Sequence, residues 1–328
     1  MLEVQTQGLK LPDSAPRVAV VVPVHNEGRN LNDFVDRLLA SARRCNGSVT
    51  AIFVDDGSTD NSLSLVEERL DALPGSQIIE LSRNFGKEAA LLAGMDAALG
   101  TDFDALVLID ADLQHPPEVI PDMVAKWLEG TDVVIAARRS RASDPFIRRH
   151  LSKLFYKMIN RLADVAMVDG DGDFRLLARR VVEALCVLRE QDRFTKGLYA
   201  WVGFRQARIY VDFDQRRAGK SRFSFSNLAA LAGSAITSFS AKPLKLALYV
   251  GAIVGGLSLV LALWIGLQTL IWGKELPGYA SIFCGFMFIG GIQLISIGLL
   301  GEYVGRAYMQ SKARPPYVVR QVIKDNVQ

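Results

Sequence analysis

The chain is predicted to fold as an α/β protein with a mostly parallel, Rossmann-like sheet, followed by two helices that cross a membrane. Three observations predict this. Short β-branched runs alternate with helical patterns, the ends of those runs collect acidic residues, and two long stretches near the carboxyl end carry no charge.

The first unit is Arg17 to Val24, a β-branched run followed by the loop His25-Asn26-Glu27 and a helical pattern from Leu31 to Ala42. The unit recurs at Val49 to Val54, whose end carries Asp55-Asp56-Gly57-Ser58-Thr59-Asp60 ahead of an expected helix from Asn61 to Leu73. Further strands are expected at Ile78 to Leu81, Ala105 to Ile109 and Asp132 to Ala136. Such alternation implies right-handed crossovers between parallel strands. Neither GxGxxG nor a P-loop occurs, which argues against a dinucleotide oxidoreductase or an ATPase.

The tract Leu106-Val107-Leu108-Ile109-Asp110-Ala111-Asp112-Leu113-Gln114-His115-Pro116-Pro117 is an apolar strand that delivers two carboxylates two residues apart. In open α/β sheets ligands sit beyond the carboxyl ends of strands. Mg2+ takes one or two carboxylates together with substrate phosphates and waters. Asp110, Asp112 and the Gln114 amide oxygen are therefore candidate ligands for Mg2+ or Mn2+. The alternative is that the Asp pair ends the strand and caps the helix near Pro117.

No charged residue occurs from Leu246 to Gly273 or from Leu276 to Gly301, and each run exceeds the roughly 20 residues that a bilayer core demands of a helix. Lys242 and Lys245 precede the first run, and Arg306, Lys312 and Arg314 follow the second. The connector at Lys274-Glu275 is nearly neutral, so both flanks are predicted cytoplasmic. Met1 to Arg17 lacks the apolar core of a signal peptide, which leaves the polar region on the cytoplasmic side as the expectation. Glycines such as Gly251, Gly255, Gly256, Gly290 and Gly291 permit close helix packing, and a homo-oligomer is expected, with a tetramer in view.

A net charge of +3 is mild, and the basic residues cluster around the membrane segments instead of forming a stripe, so anionic lipid and not nucleic acid is the expected partner. Cys45, Cys186 and Cys284 are scattered, without the spacing of a zinc site or a disulfide framework.

Six ordered blocks then carry a resemblance. They are Val22-Pro23-Val24-His25-Asn26-Glu27, Val54-Asp55-Asp56-Gly57-Ser58-Thr59-Asp60, Arg83-Asn84-Phe85-Gly86-Lys87, Asp110 to Pro117, Asp173-Phe174-Arg175-Leu176, and Arg217-Ala218-Gly219-Lys220-Ser221. Across nearly the whole chain they resemble the membrane-anchored family 2 glycosyltransferases that load a sugar onto polyprenyl phosphate. Leu300 to Arg306 and Arg314-Pro315-Pro316-Tyr317 look like the bacterial branch with two membrane helices. One departure is Arg222 after Ser221, where many relatives carry Lys.

The resemblance implies a GT-A catalytic domain over 1–222, amphipathic interface helices over 223–244, two transmembrane helices over 245–304 and a cytoplasmic tail over 305–328. It places the protein in the bacterial inner membrane. It assigns Pro23, Asn26, Glu27, Asp56 and Ala111 to the nucleotide sugar, with Arg83 and Lys87 reaching the base or a phosphate. Arg217, Lys220 and Ser221 would close over the diphosphate. Turn chemistry is the alternative for Asn26 and Glu27, and a solvated helix end for Lys87.

By the same resemblance Arg138, Arg148, Ser152 and Arg175 receive the lipid phosphate, although a basic run before a membrane is also an anchor. Asp173 is expected in the catalytic pocket, orienting acceptor or sugar through Arg175; a literal base and an N-cap for a helix over Phe174 to Leu188 are the alternatives. Phe223, Phe225, Leu228, Leu231 and Ile236 suggest interface helices.

The expected reaction is metal-dependent, inverting transfer of a hexose to undecaprenyl or another polyprenyl phosphate. The resemblance to bacterial glucosyl relatives, especially at Arg83-Asn84-Phe85-Gly86-Lys87-Glu88, makes UDP-glucose the preferred donor, with GDP-mannose, UDP-galactose and a UDP-N-acetylhexosamine as alternatives. A processive synthase is disfavoured because the Gln-x-x-Arg-Trp motif and a longer membrane channel are missing. A non-catalytic membrane scaffold is the rival from another class.

Overall fold

The computed structural model describes residues 12, 15–139, 171–191, 193–212, 242–272 and 278–325. Eight strands form one sheet: β1 (Arg17–Val24), β2 (Ser48–Asp55), β3 (Gln77–Leu81), β4 (Ala105–Leu108), β5 (Val133–Arg138), β6 (Asp171–Ala178), β7 (Gln206–Val211) and β8 (Val319–Lys324). Their spatial order is β7-β5-β6-β4-β1-β2-β3-β8.

The half built from β3, β2, β1 and β4 is parallel throughout, in register from Val18↔Val49 and Val18↔Ala105. Burial on both faces explains its continuous apolar runs: Val18 to Val22 and Ala105 to Leu108 are all buried. The expected strands appear within one or two residues of their predicted ends. The expected helix from Asn61 to Leu73 instead splits into α2 (Ser62–Glu67) and a 3-10 turn at Leu70–Ala72, because Arg69 and Ala72 donate to carbonyls only three residues back.

Antiparallel β6 makes the sheet mixed, since it pairs with β4 on one side and β5 on the other. This overturns the idea of a helix over Phe174 to Leu188 capped by Asp173: Phe174, Leu176 and Leu177 are buried sheet residues, and α5 begins only at Arg179 (Arg179–Val187). A strand between two strands has both faces and both edges occupied, which a short apolar run does not reveal by periodicity.

The helices that matter for the site are α1 (Leu31–Ala42), α3 (Lys87–Leu99), α4 (Ile120–Leu128) and α6 (Thr195–Trp201). Helix α3 is rich in alanine and lies directly on β1 and β2. Gly94 permits that approach: a Cβ there would meet Val21 Cγ1 at 2.3 Å.

Two long helices follow, α7 (Lys242–Trp272) and α8 (Tyr279–Ser311), which contact each other. Ala247–Ile265 and Phe288–Ser311 are long and apolar enough to cross a membrane. Side chains such as Leu248, Trp264, Leu270, Phe286 and Leu294 are largely exposed on them, as lipid-facing residues would be.

The segment expected as a tail does something more definite. Helix α8 runs on to Ser311, and β8 then joins the sheet antiparallel to β3, with Ile78 opposite Ile323. Gln310 on α8 accepts from the Gln191 amide at 2.9 Å and donates to the Arg189 carbonyl at 3.0 Å, while Tyr317 donates to Asp96 on α3 at 2.6 Å. The helical hairpin is thus clasped to the sheet and to α3. The expected interface helices over 223–244 fall mostly outside the described residues.

Candidate active site

The carboxyl ends of β1, β2 and β4 open into a cleft of about 610 Å³. Its wall brings together eight of the residues singled out in the sequence: Pro23, Asn26, Glu27 and Asp56 from the first two strand ends, Lys87 at the start of α3, and Asp110, Ala111 and Asp112 beyond β4.

The first two strand ends are built by turn hydrogen bonds. Asn26 adopts φ 57°, a left-handed conformation that asparagine tolerates. Its side-chain oxygen accepts from the Thr59 amide at 2.8 Å, and its own amide donates to Ser58 Oγ at 3.1 Å. Glu27 accepts from Asn30 Nδ2 at 2.7 Å. Turn chemistry and cleft placement therefore coexist at Asn26 and Glu27.

Asp56 is only 3% exposed and accepts from the amides of Phe85 and Gly86 at 2.7 and 2.9 Å. Burial raises its pKa, and the two amides oppose that rise. Asp56 thereby fixes the 83–86 loop that leads into α3. Gly57, at φ 66°, completes the joint, because a Cβ there would stand 2.6 Å from the Asn84 amide nitrogen. Arg83 does not line the cleft; its guanidinium stacks 4.4 Å over the Phe85 ring.

Beyond β4 the chain turns sharply. Leu113 is buried with φ 61°, a backbone state that costs a bulky residue about 1 kcal/mol or more. The turn lets the Gln114 amide donate to Asp112 Oδ1 at 3.1 Å and swings His115 back toward Asp110, whose Oδ2 lies 3.8 Å from His115 Nδ1. One ligand atom from each of Asp110, Asp112 and His115 falls within 4.8 Å of the others, a set that can hold a metal ion. Two carboxylates and an imidazole suit a divalent cation. Burial lowers the His115 pKa, which favours the neutral ring that a ligand must present. In the sequence His115 stands out only by its spacing of five from Asp110, and that spacing acquires meaning through the turn at Leu113.

Lys87 donates to Asp110 at 2.7 Å and to Asp173 at 2.8 Å, so it is no solvated helix end. Burial alone would lower its pKa, but the two carboxylates outweigh that and raise it. Asp173 shows the converse: burial would raise its pKa, and Lys87 with Lys196 holds it well below the carboxylate range. Lys196 stands 3.7 Å from the other Asp173 oxygen.

Arg175 is 3% exposed, donates to the Gly172 carbonyl at 2.9 Å and lies 4.2 Å over the Tyr199 ring. It braces β6 against α6. Arg138 ends β5, opposite Val211. Arg148, Ser152, Arg217, Lys220 and Ser221 lie outside the described residues. The sequence carries no sign of Lys196 or Thr195 and no structural role for Glu88, for no motif links α3 to α6; their meeting is purely tertiary.

Residues 19–186 match glycosyl transferase family 2, and residues 242–307 match the GtrB C-terminal hairpin. The chain is 43% identical over 302 residues to an uncharacterized glycosyltransferase of Synechocystis, covering 92% of this chain and 94% of the relative. It is 38% identical over 308 residues to the prophage bactoprenol glucosyl transferase homolog of Escherichia coli, covering 94% and 100%. A bactoprenol glucosyl transferase of Shigella phage SfV is 38% identical over 304 residues, with 93% and 98% covered. With its GT-A-like mixed sheet, its acidic cleft and its two apolar helices, the chain belongs to glycosyl transferase family 2 and is a glycosyltransferase.

Proposed function

We propose that this glycosyltransferase moves glucose from UDP-glucose to undecaprenyl phosphate at the cytoplasmic face of a bacterial inner membrane, with inversion at the anomeric carbon. The observation that carries the proposal is the meeting of Asp110, Asp112 and His115 with Lys87 and Asp173 at one end of the sheet, in a chain that also bears two membrane-length helices. The names of the relatives supply the acceptor and the sugar.

In this scheme the nucleotide lies against Pro23, Asn26, Glu27 and Asp56, and the sugar diphosphate extends past Ala111 toward Lys87. Asp110, Asp112 and His115, with Gln114 beside them, would hold a divalent cation, either Mg2+ or Mn2+. Such an ion, when bound, supplies positive charge against the leaving diphosphate. Lys87 adds a fixed ammonium whose place is set by two carboxylates.

A phosphate acceptor is already anionic and needs no strong base. Asp173, kept ionised between two lysines, accordingly orients cations instead of collecting a proton. Arg175 acts at one remove by bracing β6 on Tyr199. Arg138, Arg148 and Ser152 would receive the acceptor phosphate, Arg83 would have to leave the Phe85 ring to reach the base or a phosphate, and Arg217, Lys220 and Ser221 would close over the diphosphate.

We further propose residues 1–222 as the catalytic domain, 223–244 as interface helices, 245–304 as the spans and 305–328 as the returning cytoplasmic segment, in a homo-oligomer, a tetramer. The test is formation of lipid-linked product by the purified full chain with undecaprenyl phosphate and a panel of UDP- and GDP-sugars, with and without chelator. One productive donor, UDP-glucose, lost on chelation, is the expected result. A different single donor corrects the sugar, and silence across the panel from folded protein in lipid favours a scaffold.

A further inference from the structure

We propose that Lys196 is a cation of the acceptor subsite, donating to the anionic head of the phosphate acceptor during attack. The inference rests on the glycosyl transfer proposed above and adds a residue to it.

Lys196 is placed by a buried joint. Thr195, at the start of α6, directs both its amide, at 3.3 Å, and its hydroxyl to Glu88 Oε2 in the first turn of α3. The buried Arg193 guanidinium reaches Thr195 Oγ1 at 3.3 Å and donates to the carbonyls of Leu188 and Leu185 at 2.5 and 3.2 Å. The first turns of α3 and α6 are therefore fastened together. Each carries a lysine next to the joint, and those lysines meet the two oxygens of one carboxylate: Lys87 on Asp173 Oδ2 and Lys196 on Oδ1.

The two ammonium groups are not equivalent. Lys87 makes two hydrogen bonds to two carboxylates and lines the cleft. Lys196 does not line that cleft, and among the described residues its one ion pair is the 3.7 Å contact with Asp173, too long for a hydrogen bond. Its side chain is 34% exposed and that of Lys87 40%, so pairing and not exposure separates the two. An ammonium has three donors on a flexible stem, so most of its capacity is available to an incoming anion.

The displacement gives such a group a role. The acceptor oxygen forms its bond to the anomeric carbon as the bond from that carbon to the donor diphosphate breaks, and the electron pair departs on the nucleoside diphosphate. The nucleophile must arrive on the side away from the leaving group, which the Asp110, Asp112 and His115 end is proposed to hold. An approaching phosphate would meet the negative Asp173. Lys196, on the Asp173 oxygen that Lys87 leaves open, offsets that repulsion.

Initial rates are to be measured for the full chain in nanodiscs, varying undecaprenyl phosphate and UDP-glucose separately, for wild type, Lys196→Gln, Lys196→Met and Lys196→Arg. Loss of the charge is expected to raise the acceptor KM about tenfold with donor KM within about twofold, and Lys196→Arg to recover most of the loss. Melting temperatures decide which neutral variant is folded; either suffices. A fall in kcat with both KM values unchanged would assign Lys196 to holding Asp173 only and overturn the proposal. Unchanged kinetics or a rise confined to donor KM would overturn it as well. A wild type that makes no lipid-linked sugar fails the glycosyl transfer itself, whereas an active wild type with unaffected Lys196 variants fails this inference alone.

Discussion

The Lys87 ammonium donates to Asp173 at 2.8 Å while also donating to Asp110 at 2.7 Å, so one side chain ties the proposed metal-binding loop beyond β4 to the antiparallel strand β6. Removing it leaves two facing carboxylates without their shared counter-charge. Lys87→Met should lower turnover by about 100-fold or more, since two charge-assisted hydrogen bonds vanish together. Lys87→Arg should fall between, because a planar fork cannot occupy the same point. Steady-state rates with a melting curve as control check this; wild-type turnover in Lys87→Met would remove the bridge from the mechanism.

The set Asp110, Asp112 and His115 predicts graded metal dependence. Asp112→Asn should abolish turnover with the protein still folded, and His115→Ala should weaken metal affinity by about tenfold or more. Direct Mn2+ binding, read by electron paramagnetic resonance alongside a metal titration of activity, separates the two. Equal metal affinity in wild type and His115→Ala would confine the site to the carboxylates.

The depressed Asp173 pKa sets a pH dependence. A carboxyl lowered on folding contributes stability above its unfolded value, about 3.9, and that contribution is lost as pH falls through the folded value. Asp173 is therefore ionised throughout the range in which the enzyme works. The acid limb of kcat/KM should follow the second ionisation of the acceptor phosphate, about pH 6. An acid limb that moves in Asp173→Glu would assign it to a carboxyl base instead.

At Gly57 a methyl group would meet the Asn84 amide nitrogen at 2.6 Å and the Arg83 carbonyl carbon at 2.7 Å, in a left-handed conformation. Gly57→Ala should displace the loop that Asp56 holds. The donor KM is expected to rise by about tenfold, with the acceptor KM little changed, and the melting temperature to drop. Product inhibition by UDP, weakened in parallel, provides the independent check.

Asp96 gathers three segments: its carboxylate accepts from Arg189 at 2.5 and 2.7 Å and from Tyr317 at 2.6 Å. Tyr317→Phe removes one bond at a half-buried site and should cost about 1 kcal/mol, a shift of roughly 2–4 °C in melting. Truncation before Val319 should cost more, by stripping β8 from β3 and exposing the β3 edge. Hydrogen exchange at Ile78 and Ile79 reports that edge directly.

Much of this protein was legible in one dimension. The parallel strands announced themselves because burial on both faces demands unbroken apolar runs, as at Val18 to Val22, and the cleft-lining residues follow such runs because strand ends face the cleft. The two membrane-length helices were equally plain, for each follows from a long run without charge. Periodicity could not show that Phe174 to Leu177 are strand residues, since a strand flanked on both sides looks like any short apolar run.

Local pattern specified where carboxylates leave the sheet and where the two long apolar helices lie. Tertiary structure alone decided which distant groups share a charge. Lys87 meets Asp173 across 86 positions, Thr195 meets Glu88 across 107, and Tyr317 returns to Asp96 across 221. Those pairings depend on how α3, α6 and β8 pack against one sheet, and helical or strand periodicity carries information only about neighbours a few residues apart.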